Sequence, residues 1–171
     1  MTDAKELLTA GTALTGAVLG IFNLWRQVSA DRVKIRVTPS IVVDQRAGGI
    51  FASTTYIVDP ADPPDMVSLA VEILNLSSFP VTIEEIGMTA RGSARMSFIG
   101  AESADHKSLP IRIESRDAIK LYTTPYLISE FAPAVHVFAD TVCNNRQIGK
   151  SPAIEGLKTA AIRLKQQRAE Q

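Results

Sequence analysis

VSLAVEILNLSSFPVTIEEIGM, residues 67–88, decides how this chain folds. Val67, Leu69, Val71 and Ile73 fall on one face of an extended run, and Ser68, Ala70, Glu72 and Leu74 on the other, which is the two-residue period of a β-strand. Asn75 to Pro80 turns the chain, since serines and a proline cannot prolong the ladder. In the return run Val81 and Ile83 point one way, whereas Ile86 and Met88 have the opposite parity. A slip of one residue sends apolar side chains into water, so a β-bulge is expected at Glu84-Glu85, returning both pairs to one face.

Working outward, the same alternation recurs. Val33, Ile35 and Val37 interleave with Lys34, Arg36 and Thr38 until Pro39, which is expected to stop the strand. Ile41 to Val43 and Ile50 to Val58 read as further strands around a Gly48-Gly49 turn, and Asp59 to Asp65, rich in proline and aspartate, reads as a loop. Downstream, Met96 to Ile99, Leu109 to Ile113, Ala118 to Tyr122 and Val135 to Val142 have strand character. About eight short strands with turns between them point to a mainly β fold, an immunoglobulin-like antiparallel β-sandwich over residues 32–150. The likeness is architectural: the one tryptophan lies outside this region and Cys143 is the one cysteine, so no Cys-Trp-Cys pin is available.

The amino-terminal residues 1–31 follow a different rule. From Leu7 to Trp25 there are 19 consecutive uncharged residues, bounded by Lys5-Glu6 and Arg26. As a helix this run covers roughly 28 Å, the thickness of a bilayer's hydrocarbon core. Trp25 and Arg26 stand where interfacial anchors belong. Thr9, Thr12, Thr15 and Asn23 dilute its apolar character. Thr12, Gly16 and Gly20 recur every four residues, a small-residue stripe suited to close helix packing in lipid. Arg26, Arg32, Lys34 and Arg36 outnumber the positive charges on the other flank, so a single-pass anchor would leave the β-domain in the cytoplasm. Two other readings compete. Val28-Ser29-Ala30 resembles a signal-cleavage site, although the acidic leader argues against it, and the threonines and glycines also suit a helix buried in a soluble assembly.

Residues 151–171 read as an amphipathic helix. Ser151 is a candidate cap, Pro152 suits the first turn, Glu155 complements the positive end of the dipole, and Lys165 and Arg168 the negative end. Ile154, Leu157, Ala161 and Leu164 form a narrow apolar stripe, a contact surface for the domain itself, a neighbouring subunit, a partner or an anionic membrane face, the remaining reading being a frayed solvent tail.

Composition narrows the function classes. Lys and Arg number 18 against 18 Asp and Glu, a balance unlike that of a general nucleic-acid binder. Cys143, His106 and His136 are the only Cys and His residues, too few for a closed four-ligand zinc site. His136 and Asp140 share a strand face, but four extended residues separate them by about 13 Å, so His136 reads as an ordinary surface histidine. Asp105-His106-Lys107, with Glu102 and Ser103, reads as a solvated loop without the elbow of a nucleophilic triad. Glu84 and Glu85 read as solvent-facing acids or as acids paired with basic neighbours, and Cys143 as an inert or half-buried thiol with Arg146 alone for positive support. The Asp59 to Asp65 loop lacks the spacing of a calcium-binding hand, and no glycine-rich phosphate loop is present. Asn75-Leu76-Ser77 formally matches a glycosylation acceptor.

The expectation is therefore a non-enzymatic, membrane-anchored β-sandwich interaction module without a cofactor or metal. It is expected to bind a protein partner or itself, to self-associate through its first helix, and to meet the membrane through residues 7–25. The alternative is a structural subunit of a large assembly, such as a virion or secretion-type complex, whose terminal helices dock on neighbours.

Overall fold

The computed structural model describes residues 2–30, 32–46, 50–54, 64–92 and 95–169. The chain is mainly β, with antiparallel sheets and one apolar amino-terminal helix, and it divides into two compact units, Met1–Val33 and Lys34–Gln171. The first unit is a single uninterrupted helix, α1 (Thr2–Ala30). Its Leu8–Val28 segment is long and apolar enough to cross a membrane.

The second unit holds twelve described strands: β1 (Ile35–Arg46), β2 (Ile50–Thr54), β3 (Met66–Val67), β4 (Leu69–Asn75), β5 (Val81–Ala90), β6 (Arg95–Ser97), β7 (Glu102–Ser103), β8 (Ile111–Ile113), β9 (Ala118–Tyr122), β10 (Tyr126–Leu127), β11 (Ala134–Thr141) and β12 (Arg146–Gly149). A short 3-10 turn, Ile128–Phe131, precedes β11, and a helix, α2 (Pro152–Ala169), follows β12. One sheet has the order β2-β1-β4-β9-β7; the other runs β12-β11-β5-β6, with β8 also paired to β5. The inward rows Ile35/Val37/Ile41, Leu69/Val71/Ile73, Ile83/Ile86/Met88 and Val137/Ala139 are buried and supply the core.

The bulge sits where the parity slip requires it. Asp140 pairs with Glu85 and Thr141 with Ile83, so Glu84 is the extra residue, and Val81, Ile83, Ile86 and Met88 are all buried. Pro39, by contrast, does not stop its strand: β1 runs through it, paired with Val71. The bonds Leu76 N to Lys34 O and Val42 N to Ser68 O make the even-numbered residues those that exchange hydrogen bonds with β4. The missing N–H of Pro39 therefore faces the other edge, where among the described residues β2 pairs from Ile41 onward, and the ladder with β4 loses no bond.

Other expectations shift in detail. The run from Val67 to Leu74 is divided at Ser68, with β3 paired to β10 and β4 held between β1 and β9. Strand β2 occupies the start of the expected Ile50 to Val58 run; Gly48-Gly49, residues 55–58 and all of the Asp59 to Asp65 loop but Pro64 and Asp65 lie outside the described residues. The sequence pattern does not mark strands β7, β10 and β12: two are two-residue pairings, and β12 carries one large apolar residue, Ile148, which is exposed.

Helix α2 belongs to the second unit, against the 3-10 turn, β1 and β11. Ala153, Ile154, Leu157, Ala160 and Ala161 are buried, a wider stripe than the sequence pattern indicates, and Leu164 is half-buried. The Ser151 hydroxyl does not cap the helix. It is buried without a hydrogen-bond partner, and the Ile154 and Glu155 N–H groups bond instead to the Ser151 carbonyl.

Candidate functional site

Three places are candidates for a functional site: helix α1, the outer face of the β12-β11-β5-β6 sheet, and the clefts of the second unit. In α1, none of the Leu8–Val28 window is buried, and Leu8, Leu14, Val18, Leu19, Ile21, Phe22, Leu24, Trp25 and Val28 are all exposed. Two of the threonines are internally satisfied. The Thr12 hydroxyl donates to the Leu8 or Thr9 carbonyl at 3.0 and 2.9 Å, and Thr15 to the Gly11 carbonyl at 2.8 Å. A hydroxyl bonded to its own helix costs little in lipid, so these residues do not disqualify a span. At about 100° per residue, Thr9, Thr12, Gly16, Gly20, Asn23 and Gln27 fall within a sector of about 80°. Gly16 and Gly20 open onto free space on that face. Trp25, two-thirds exposed, lies 6.4 Å from the Phe22 ring, and Arg26 beside it is exposed.

On the sheet face, the bulge and the alternation of β11 bring together residues far apart in sequence. Phe138 points outward from β11, opposite Gly87 of β5 and Ile148 of β12. A Cβ on Gly87 would collide with the Phe138 ring and the Met96 carbonyl, so glycine makes room for the ring. The guanidinium groups of Arg146 and Arg95 stack over that ring at 4.3 and 5.2 Å from its centroid, completing its burial. Arg146 is held there by paired hydrogen bonds of 2.8 and 2.6 Å to Asp140, and Arg95 by Glu85, which also accepts from Ser97. The hydrogen bond from Arg146 holds the Asp140 carboxyl below the usual range, burial opposing it, and in return raises the Arg146 pKa. Of the two readings of these acids, Glu85 takes the paired one, tied to a basic neighbour, and Glu84 the solvent-facing one. A cleft of about 460 Å³ lies over this network.

The histidines occupy unlike settings. His136, on the same face as Phe138 and Asp140, is not the surface histidine the pattern suggests: it is half-buried, its Nδ1 is enclosed without a partner, and burial, with Lys150 nearby, lowers its pKa. His106 is exposed at the tip of a turn tied by Ser103, where its φ of 59° is left-handed. Its Nδ1 lies 3.2 Å from Glu102, and both line a cleft of about 300 Å³ with Ser68, Tyr122 and Thr124. Cys143 is exposed in the β11–β12 turn. Among the described residues no three His, Cys, Asp or Glu side chains are grouped to hold a metal ion. Asn75 is fully buried and its amide is engaged, which bars glycosylation of the folded domain.

Around the carboxyl half of α2 lies a groove of about 810 Å³, with Ala132, Pro133 and Ile162 as its apolar lining and Arg91 and Lys165 at its rim. A recess of about 100 Å³ between Leu127, Ile128 and Leu164 adjoins it through Ser129 and Lys165. Neither groove nor recess follows from linear periodicity, because the groove combines a turn, the 3-10 segment and α2, and the recess combines β10, the 3-10 segment and α2. No family model, curated protein or solved structure matches this chain.

Proposed function

We infer that this protein is a membrane-anchored, non-enzymatic interaction module: an immunoglobulin-like β-sandwich held at a bilayer by α1. The observation that carries the reading is the exposure of the whole Leu8–Val28 window. Each large apolar side chain left in water forgoes roughly 1.5–3 kcal/mol, so the nine exposed in this window amount to on the order of 20 kcal/mol that an apolar surrounding recovers. The threonine hydroxyls bonded within the helix, and Trp25-Arg26 at its end, support lipid as that surrounding. The excess of Arg and Lys after the span supports a cytoplasmic β-domain, and the Thr12, Gly16 and Gly20 stripe, widened by Thr9, Asn23 and Gln27, supports self-association of α1.

Strand order supports the immunoglobulin-like reading. In the lettering of that fold, β1-β4-β9-β7 matches A-B-E-D and β12-β11-β5-β6 matches G-F-C-C′, leaving β2, β3, β8 and β10 as additions. The non-enzymatic reading is supported by the charge network on the second sheet, whose groups are paired with one another, with the Asp140 carboxyl moved away from neutral pH.

The test is extraction of membranes from cells making the full chain, with alkaline carbonate and then with mild detergent. Retention through carbonate and release by detergent as a small species is the expected result. Recovery without detergent as a large soluble particle would replace this reading with that of an assembly subunit whose helix docks on protein.

A further inference from the structure

We propose that the groove beside α2 docks an acidic peptide segment of a partner protein, which places an apolar side chain on the groove floor and carboxylates against its two cationic walls. This deepens the reading of the domain as an interaction module and does not depend on the anchor. The floor is Ala132, Pro133 and Ile162, the last 41% exposed where α2 passes from the buried Ala160 and Ala161 to its exposed carboxyl-terminal turns. Arg91, from the turn after β5, and Lys165, from α2, stand at the rim, and no carboxylate lines this groove. Neither cation is in an ion pair among the described residues, in contrast to Arg95, Arg112 and Arg146.

The ordinary explanation of basic residues late in a helix is their attraction to its negative end. It covers Lys165 and Arg168. It leaves unexplained Arg91, which comes from a different element, and the exposed Ile162 between the charges. From Lys158 to Arg168 the helix carries Lys158, Arg163, Lys165 and Arg168 and no acid, so its field favours an anionic ligand. The apolar surface continues past the groove: Leu127, about half exposed, lines the adjoining recess and pairs in register with Met66, which is also about half exposed. Asp65 at the far side of the recess sets a limit on where the partner's carboxylates can lie. The groove is lined from two sides, by Arg91 with the 129–133 segment and by Ile162, Lys165 and Gln166 of α2, a shape along which an extended or helical peptide can lie.

The test uses the full chain in nanodiscs of neutral phosphatidylcholine, or in buffer if it proves soluble without lipid, so that failure of the anchor reading is seen separately. A displayed library of random peptides is selected on it, and enriched peptides are synthesised and titrated by fluorescence anisotropy. The expected result is enrichment of sequences with an apolar residue flanked by Asp or Glu. Their affinity should fall at least tenfold in an Arg91→Glu, Lys165→Glu variant, weaken at high salt, and survive Arg112→Glu. Ile162→Ser, which leaves every charge in place, should weaken the same peptides several-fold. Absence of enrichment, or peptides that bind the double variant as well as the parent, would overturn the proposal. So would groove-dependent binding to vesicles containing phosphatidylserine in place of peptides, which would make this face a membrane surface, or loss of peptide binding through self-association at the groove.

Discussion

Replacing Asn75 with alanine should remove the strongest polar fastening in the β-domain. The side chain is fully buried, and its Nδ2 donates to the carbonyls of Phe79 and Glu114 at 2.8 and 3.0 Å, with a longer contact of 3.3 Å to Ile113. Its Oδ1 accepts from the Ser77 N–H at 2.9 Å. The amide thereby ties the β4–β5 turn to the segment after β8, neither of which has a sheet partner at that point. Each of these bonds is worth about 1–1.5 kcal/mol net, and truncation also strands buried carbonyls and an N–H, so the loss should be about 3–5 kcal/mol. That is a large part of the roughly 5–15 kcal/mol available to a domain and should lower its melting temperature by roughly 10–20 °C. Asn75→Asp keeps the shape but turns the donor into a second acceptor facing carbonyls, and should cost at least as much. Unfolding of the full chain in mild detergent, followed by circular dichroism at the β-sheet minimum, measures both. A loss below about 1 kcal/mol for alanine, or an aspartate variant as stable as the parent, would refute the assignment of Asn75 as the fastening.

Gly87→Ala should cost about 1–3 kcal/mol by urea unfolding, because the added methyl meets both the Phe138 ring and the Met96 carbonyl. Burial lowers the pKa of His136, aided by Lys150, so its neutral form is favoured in the fold; the resulting stability is full above the ordinary value of 6.5 and is lost as pH falls through the lower folded value. His136→Gln should flatten the stability profile over that interval. The Asp140 carboxyl, lowered chiefly by the Arg146 hydrogen bond, gives stability that is present above its ordinary value of 3.8 and lost on further acidification, and Asp140→Asn should remove that acid-sensitive part. Gly16→Leu together with Gly20→Leu should abolish self-association of α1, read by crosslinking in vesicles, while membrane recovery is unchanged.

Much of the fold was legible because its strands obey a simple period. The run through Val67, Leu69, Val71 and Ile73 and the slip at Glu84-Glu85 both have their counterpart in the buried rows and the bulge. What escaped notice depends on neighbours in space. Pro39 is tolerated because of which edge its nitrogen faces, a fact set by register with β4. Strand β12 is an edge strand whose residues need not be apolar. The arginine stack over Phe138 joins β6, β11 and β12, and the groove joins Arg91 to Lys165; neither grouping leaves a trace in linear spacing. The enclosed Nδ1 of His136 is likewise a matter of packing, since the alternation places that residue on the outer face.

Trp25 is the only tryptophan in the chain, so its fluorescence tests the central claim without a label. The full chain would be incorporated into lipid vesicles and Trp25 emission recorded with iodide in the aqueous phase and with lipids carrying a nitroxide near the headgroup or deep in the acyl chain. A membrane anchor gives blue-shifted emission, weak quenching by iodide, and stronger quenching by the shallow nitroxide than by the deep one. Red-shifted emission that iodide quenches freely, or a shielded tryptophan that neither nitroxide reaches, would contradict the anchor and place the helix in water or against protein.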